Sequence, residues 1–168
     1  MIDNSIEILK FNADNSSEFR KLISSLKVPK EFDIINGYSF VDQIIFIMLN
    51  KKSKSFFFRY IEKNEIIGYC IVENTDLNLQ RYGKRLGEIY QIEDEILNSA
   101  PIVISDFMIN KKYRHQRLGT KFANYIINTA YKSENLSLHA DGDGLYFWDK
   151  IGFKFVEGFE PNMVLLRN

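Results

Sequence analysis

Between Lys111 and Lys121 the chain carries five cations, Lys111, Lys112, Arg114, Arg117 and Lys121, with His115 beside them and no carboxylate. They lie between an apolar run, Ile102 to Ile109, and a stretch in which Leu118, Phe122, Tyr125 and Ile126 recur at helical spacing. Strand, basic bend and helix start, in that order, can turn backbone N–H groups and side-chain donors toward one phosphate group. Gly119 lets a ligand approach the first helical turn without a Cβ in the way, and Thr120 adds a hydroxyl donor. The competing reading is a solvated helix end. Against it stands the electrostatics, because a helix start favours acids and five cations there call for an anion.

Asp106 stands inside the apolar run, where a lone acid is unfavourable unless it is paired or used. It is the first candidate for a general base; the alternative is that it faces the other side and accepts ordinary hydrogen bonds. Glu73 and His139, at the ends of expected strands, are reserve candidates. Cys70, the single cysteine, sits in the apolar run IIGYCIV with no local cation and no helix start, so it reads as a buried thiol rather than a nucleophile. Asp141 and Asp143 resemble pieces of a calcium loop, but the acid needed at its end is absent at Gly152, and no metal is expected. The acids of Glu88 to Glu95 either attract a cationic substrate or form one solvated face.

The elements that must position these residues fit one domain spanning Met1 to Asn168. With 168 residues, 45% of them hydrophobic, and a formal net charge of zero, the chain can enclose one substantial core. Balanced charge makes nucleic acid an unlikely main partner. A single cysteine suits a reducing cytoplasm, and the most apolar helical segment, Phe40 to Leu49, is too short to cross a bilayer. A homodimer stays open.

Ser5 to Phe11 reads as an opening strand, followed by a helix bearing Phe19, Leu22, Ile23 and Leu26 that ends by Pro29. A second helix is expected from about Ser39 to Leu49. Lys54 to Ile61 and Glu65 to Glu73 form a hairpin whose lack of alternation implies cover on both faces. Asn74 to Ala100 carries no assigned role. After the strand Ile102 to Ile109 and the helix beyond it come a strand at Leu136 to Ala140, a DGDG turn, and a short helix from Leu145 to Lys150 stopped by Gly152. Strands at Phe153 to Val156 and within Pro161 to Arg167 complete the order.

The run from Ile109 through Lys111-Lys112-Tyr113-Arg114-His115-Gln116-Arg117-Leu118-Gly119-Thr120 resembles the acyl-CoA motif of the GNAT superfamily of N-acyltransferases: Gln or Arg, two residues, Gly, one residue, then Gly or Ala. Arg114 fills the first position, Gly119 the last, and Arg117 stands where the first glycine is usual. Phe147-Trp148-Asp149-Lys150-Ile151-Gly152-Phe153 resembles the later family motif, in the expected order. The resemblance is coarse from Ser5 onward and specific from Ile102 to Phe155.

It implies an α/β fold of the α+β kind: a mixed, mostly antiparallel sheet with flanking helices and a V-shaped splay between its fourth and fifth strands. It also implies acetyl-CoA as cosubstrate and an amine acceptor. Phe107, Met108 and Ile109 would meet the pantetheine arm, with an N–H in that strand, assigned to Ile109, polarising the thioester carbonyl. Arg114, His115, Gln116, Arg117, Leu118, Gly119, Thr120 and Lys121 would meet the phosphates, with Lys112 or Lys121 toward the adenosine end, while Asp141 and Trp148 would line the arm. Asp106 would be the base. The family's tyrosine acid falls at Trp148, which leaves Tyr146 as the acid to test. The alternative function is a weakened acyl-CoA-binding domain, or a domain that engages protein or RNA through the basic bend.

Overall fold

Alternation is lost in the two central runs because both of their faces are covered. In a computed structural model of the chain, which describes residues 6–10, 17, 34–35, 38–39, 54–61, 63, 65–74, 99–140, 142–157 and 161–167, Phe56, Phe57 and Phe58 are buried in succession. So are Ile66, Ile67 and Tyr69 through Val72. The strands are β1 (Ile6–Lys10), β2 (Ile34–Ile35), β3 (Tyr38–Ser39), β4 (Lys54–Tyr60), β5 (Glu65–Asn74), β6 (Ile102–Ile109), β7 (Leu136–His139), β8 (Lys154–Phe155) and β9 (Asn162–Leu165). Seven of them form one mixed, mostly antiparallel sheet in the order β1-β4-β5-β6-β7-β9-β8. Among the described residues the α-helices are α1 (Leu118–Tyr125) and α2 (Asp143–Ile151).

The chain divides into two compact units, Met1–Ile71 with Asp106–Gly119, and Val72–Ser105 with Thr120–Asn168. In the first, β1 runs antiparallel to β4 with Ile6 opposite Tyr60 and Lys10 opposite Phe56. Glu7 and Arg59, directly across from one another, close an ion pair at 2.5 Å. A four-residue link between neighbouring β4 and β5 leaves room only for a hairpin. β2 and β3 pair separately. That pair takes in Ser39, where the sequence suggests the start of a helix; the rest of that expected helix, the one bearing Phe19 to Leu26, and nearly all of Asn74 to Ala100 lie outside the described residues.

In the second unit, Ile102, Val103 and Ile104 of β6 pair in parallel with Leu136, Ser137 and Leu138 of β7. β9 is antiparallel to β7, and β8 to β9. Phe122, Ala123, Ile126, Leu136, Phe153 and Met163 are fully buried here. Ser137 settles its buried hydroxyl by donating to the Ala100 carbonyl at 3.0 Å. α1 continues into one wide π-type turn, Ile126–Ala130, whose Ile127 carbonyl accepts from Arg167 Nη2 at 2.7 Å. Gly152 ends α2 in the left-handed region at φ 118°, and its N–H reaches the Trp148 and Asp149 carbonyls at 3.1 and 3.0 Å. Among the described residues, no helix is long and apolar enough to cross a membrane.

Candidate functional site

β6 ends at Ile109, and a dense set of local bonds shapes the bend beyond it. The Asn110 N–H donates to the Ile67 carbonyl of β5 at 2.7 Å, and the Asn110 side chain accepts from the Lys112 N–H at 3.1 Å. A 3-10 turn, Lys111–Tyr113, results. Arg114 folds back so that Nε donates to the Ile109 carbonyl at 3.0 Å, and Gln116 Nε2 reaches the Lys112 carbonyl at 3.2 Å. His115 and Arg117 both adopt positive φ, 63° and 59°. Histidine, like asparagine and aspartate, enters this region more readily than other residues, but arginine seldom does, and such strain persists only where surrounding structure imposes it. Arg114 to Arg117 are exposed. The positive φ at Arg117 is one that glycine takes without strain.

A carboxylate from outside the bend secures it. Glu65, at the start of β5, accepts from Lys112 Nζ at 3.0 and 3.1 Å and from the Tyr113 hydroxyl at 2.5 Å. The Tyr113 ring packs on Tyr60 with centroids 5.4 Å apart. The hydrogen bond from Tyr113, then that from Lys112, holds the Glu65 carboxyl below its ordinary pKa. Burial, then the Glu65 bond, raises the Tyr113 phenol, and the Glu65 bond raises Lys112. Lys112, expected at the adenosine end, is therefore engaged with Glu65.

Asp106 lies in β6 and takes a hydrogen bond from the Tyr69 hydroxyl to Oδ2 at 3.2 Å. Tyr69 is wholly buried and packs against Phe57, centroids 6.5 Å apart. Burial, then the charge of Asp106, pushes the Tyr69 phenol well up, so it stays a donor. The same two causes push the buried Cys70 thiol well up, which removes it as a nucleophile. Phe107, Met108 and Ile109 come after Asp106 on the strand, half-buried. Leu118, Gly119, Thr120 and Lys121 form the opening of α1.

In the later motif, Trp148 is buried, with its ring edge-on to Phe147 at 4.9 Å and to Phe153 at 5.2 Å. Tyr146 is 67% exposed, and Lys150 Nζ lies 4.2 Å from its ring centroid. Asp141 lies outside the described residues. Glu73 is buried near the end of β5. His139 is exposed, with Nδ1 3.3 Å from Asn162 Oδ1. Among the described residues no group of three or more His, Cys, Asp or Glu could hold a metal ion.

Three residues that shape this region are missed by sequence reasoning: Glu65, Gly68 and Tyr69. Each sits in β5, more than 35 positions from what it contacts. The one local signal is Gly68 itself, since glycine inside an apolar strand marks a close backbone approach.

Neither a family model nor a curated protein sequence matches the chain. Solved structures do. A GNAT-family acetyltransferase from Staphylococcus aureus aligns with TM-score 0.56 and 16% identity, over 95% of this chain and 96% of that one. An acetyltransferase from Thermus thermophilus aligns with TM-score 0.58 and 12% identity, over 98% and 96%. A ribosomal-protein-alanine N-acetyltransferase from Brucella melitensis aligns with TM-score 0.54 and 11% identity, over 97% and 99%. The chain has the fold of the GNAT acetyltransferases, along essentially its whole length.

Proposed function

We propose that the chain is an acyl-CoA-dependent N-acyltransferase that moves acetyl from acetyl-CoA directly to a primary amine of a small molecule, peptide or protein. The observation that carries the reading is the bend ahead of α1. His115 and Arg117 have positive φ with Gln116 between them on the negative side, in a segment with no acid of its own. That alternation turns successive N–H groups into a concavity suited to an anion, and a helix start comes at once after it. Arg114 and Arg117 add guanidinium donors matched to phosphate. The GNAT fold supports the same assignment.

The acyl thioester arrives activated, so the protein chiefly aligns it and stabilises charge on its oxygen. The amine nitrogen bonds to the acyl carbon as the carbon–sulfur bond breaks. The amine proton passes to Asp106, directly or through water, and the departing thiolate takes a proton from Tyr146. The Tyr69 hydroxyl, bonded to Oδ2, fixes the orientation of the Asp106 carboxylate. The same reading takes the chain as one domain working in the cytoplasm.

Calorimetric titration of the whole chain with acetyl-CoA, CoA, pantetheine and an RNA hairpin tests the proposal. Both CoA species should bind at least about tenfold more tightly than pantetheine, because the phosphates carry the contacts. Acetyl-CoA should be consumed when a mixed pool of amines is added. If neither CoA species nor longer acyl-CoAs bind, the enzyme reading is abandoned. Binding of RNA alone would favour an interaction domain that uses the basic bend.

A further inference from the structure

We infer that Gly68 is a positioning residue for acyl transfer: the space left by its missing side chain sets the plane of the Met108–Ile109 peptide and so aims the Ile109 N–H. The inference rests on the acyltransferase reading of β6.

A Cβ placed on Gly68 would collide with the Met108 carbonyl oxygen, and would lie 2.7 Å from Ile109 Cδ1 and 3.3 Å from Ile109 Cα. The side-chain carbon can swing aside, but the carbonyl is backbone and cannot move alone. The φ of Gly68 lies outside the left-handed range, so conformational freedom does not explain the glycine. Glycine weakens a strand interior, and here what it provides is room for another backbone.

A trans peptide is planar, and its C=O and N–H point in opposite directions. With the Met108 carbonyl directed at Gly68 in β5, the Ile109 N–H points away from β5. The following peptide, Ile109–Asn110, is bonded at both of its polar groups. The Asn110 N–H is tied to Ile67 of β5, and the Ile109 carbonyl accepts from Arg114 Nε. Gly68 therefore acts on the orientation of one N–H, separately from the bend, which Glu65 secures through Lys112 and Tyr113.

The test compares Gly68→Ala with the wild-type chain by steady-state kinetics, CoA calorimetry and the infrared carbonyl stretch of bound acetyl-CoA labelled with carbon-13 at the thioester. Wild type should lower that stretch relative to free acetyl-CoA, as a polarising donor does. Gly68→Ala should restore it toward the free value and reduce kcat about 10²-fold, the scale of losing one oxyanion donor, with CoA affinity kept within about twofold. Gly144→Ala is the control, since its nearest neighbour, Trp148 Cδ1, is 4.0 Å from the added carbon; it should move none of these readouts.

A folded Gly68→Ala chain with an unchanged stretch and kcat overturns the inference while leaving the acyltransferase reading standing. If Gly68→Ala does not fold, the comparison moves to Ile109→Gly, which removes Cδ1 and frees the backbone to adjust. Adding Gly68→Ala to that variant should still reduce kcat at least about tenfold, and a further loss under about twofold overturns the inference. A wild-type chain that neither binds nor transfers acetyl removes the reading and the inference together.

Discussion

The bend after β6 and the helix α2 are stabilised by opposite means. The bend holds two residues at positive φ with a network of polar bonds, and its charged side chains stay in water. α2 is anchored by rings: Trp148 edge-on to Phe147 and Phe153, with Gly152 stopping the helix beneath them. A polar network with imposed strain is what presents backbone donors to a ligand, while a stacked aromatic cluster holds a helix in place. The difference teaches that a motif conspicuous in sequence can contribute by chemistry or by packing, and burial separates the two.

The largest expected effect tests the packing side. Trp148→Ala should destabilise the chain by about 3–5 kcal/mol, the range for removing a buried large aromatic, measured by urea unfolding. A fully stable Trp148→Ala chain that has lost only CoA binding would break the comparison, because Trp148 would then be a cofactor residue and not a packing one.

Asp106→Asn tests the polar side. The acetyl-transfer rate should fall about 10²-fold, the lower end for removing a general base, with CoA affinity little changed. Calorimetry alongside the amine pH–rate profile checks this, and an unaltered rate and profile would remove Asp106 from the base role.

Strand and helix order was legible where local pattern decides it: Ile102–Ile109 matches β6 residue for residue, and the hairpin of Lys54–Tyr60 and Glu65–Asn74 follows from its aromatic and β-branched runs. The cationic bend between β6 and α1 was legible as a bend because its residues are contiguous. The contacts that β5 brings from afar were not legible. Nothing near Lys111 foretells that Glu65 will pin the bend, and nothing near Asp106 foretells Tyr69, since pairing register, not local sequence, creates those contacts. Positive φ at Arg117 was equally hidden, because arginine carries no signal for it.

Tyr146→Phe asks whether α2 contributes chemistry as well as packing. Among the rings of α2, Tyr146 is the exposed one, so its loss should leave folding and acetyl-CoA affinity intact. As the proton donor it should slow the single-turnover rate about tenfold, and less for an acyl donor with a less basic leaving thiolate. An equal fractional defect for both donors, or none, would leave α2 with packing alone.

The smallest effect concerns the pin. Glu65→Gln keeps a hydrogen-bond acceptor for Tyr113 but loses the charge shared with Lys112. Lys112 is largely exposed, its side chain 61% accessible, so solvent screens most of that attraction. The melting temperature should fall by only about 1–3 °C, with CoA affinity weakened about threefold as the bend loosens. The pH dependence identifies the cause. Glu65 has a folded pKa below its ordinary value, so its contribution is complete above that ordinary value and is lost as pH falls through the lowered one. The gap in melting temperature between wild type and Glu65→Gln should therefore be constant through neutral pH and close only in acid, below the usual glutamate range. A gap that already closed within the neutral range would show that the Glu65 carboxylate is not its cause.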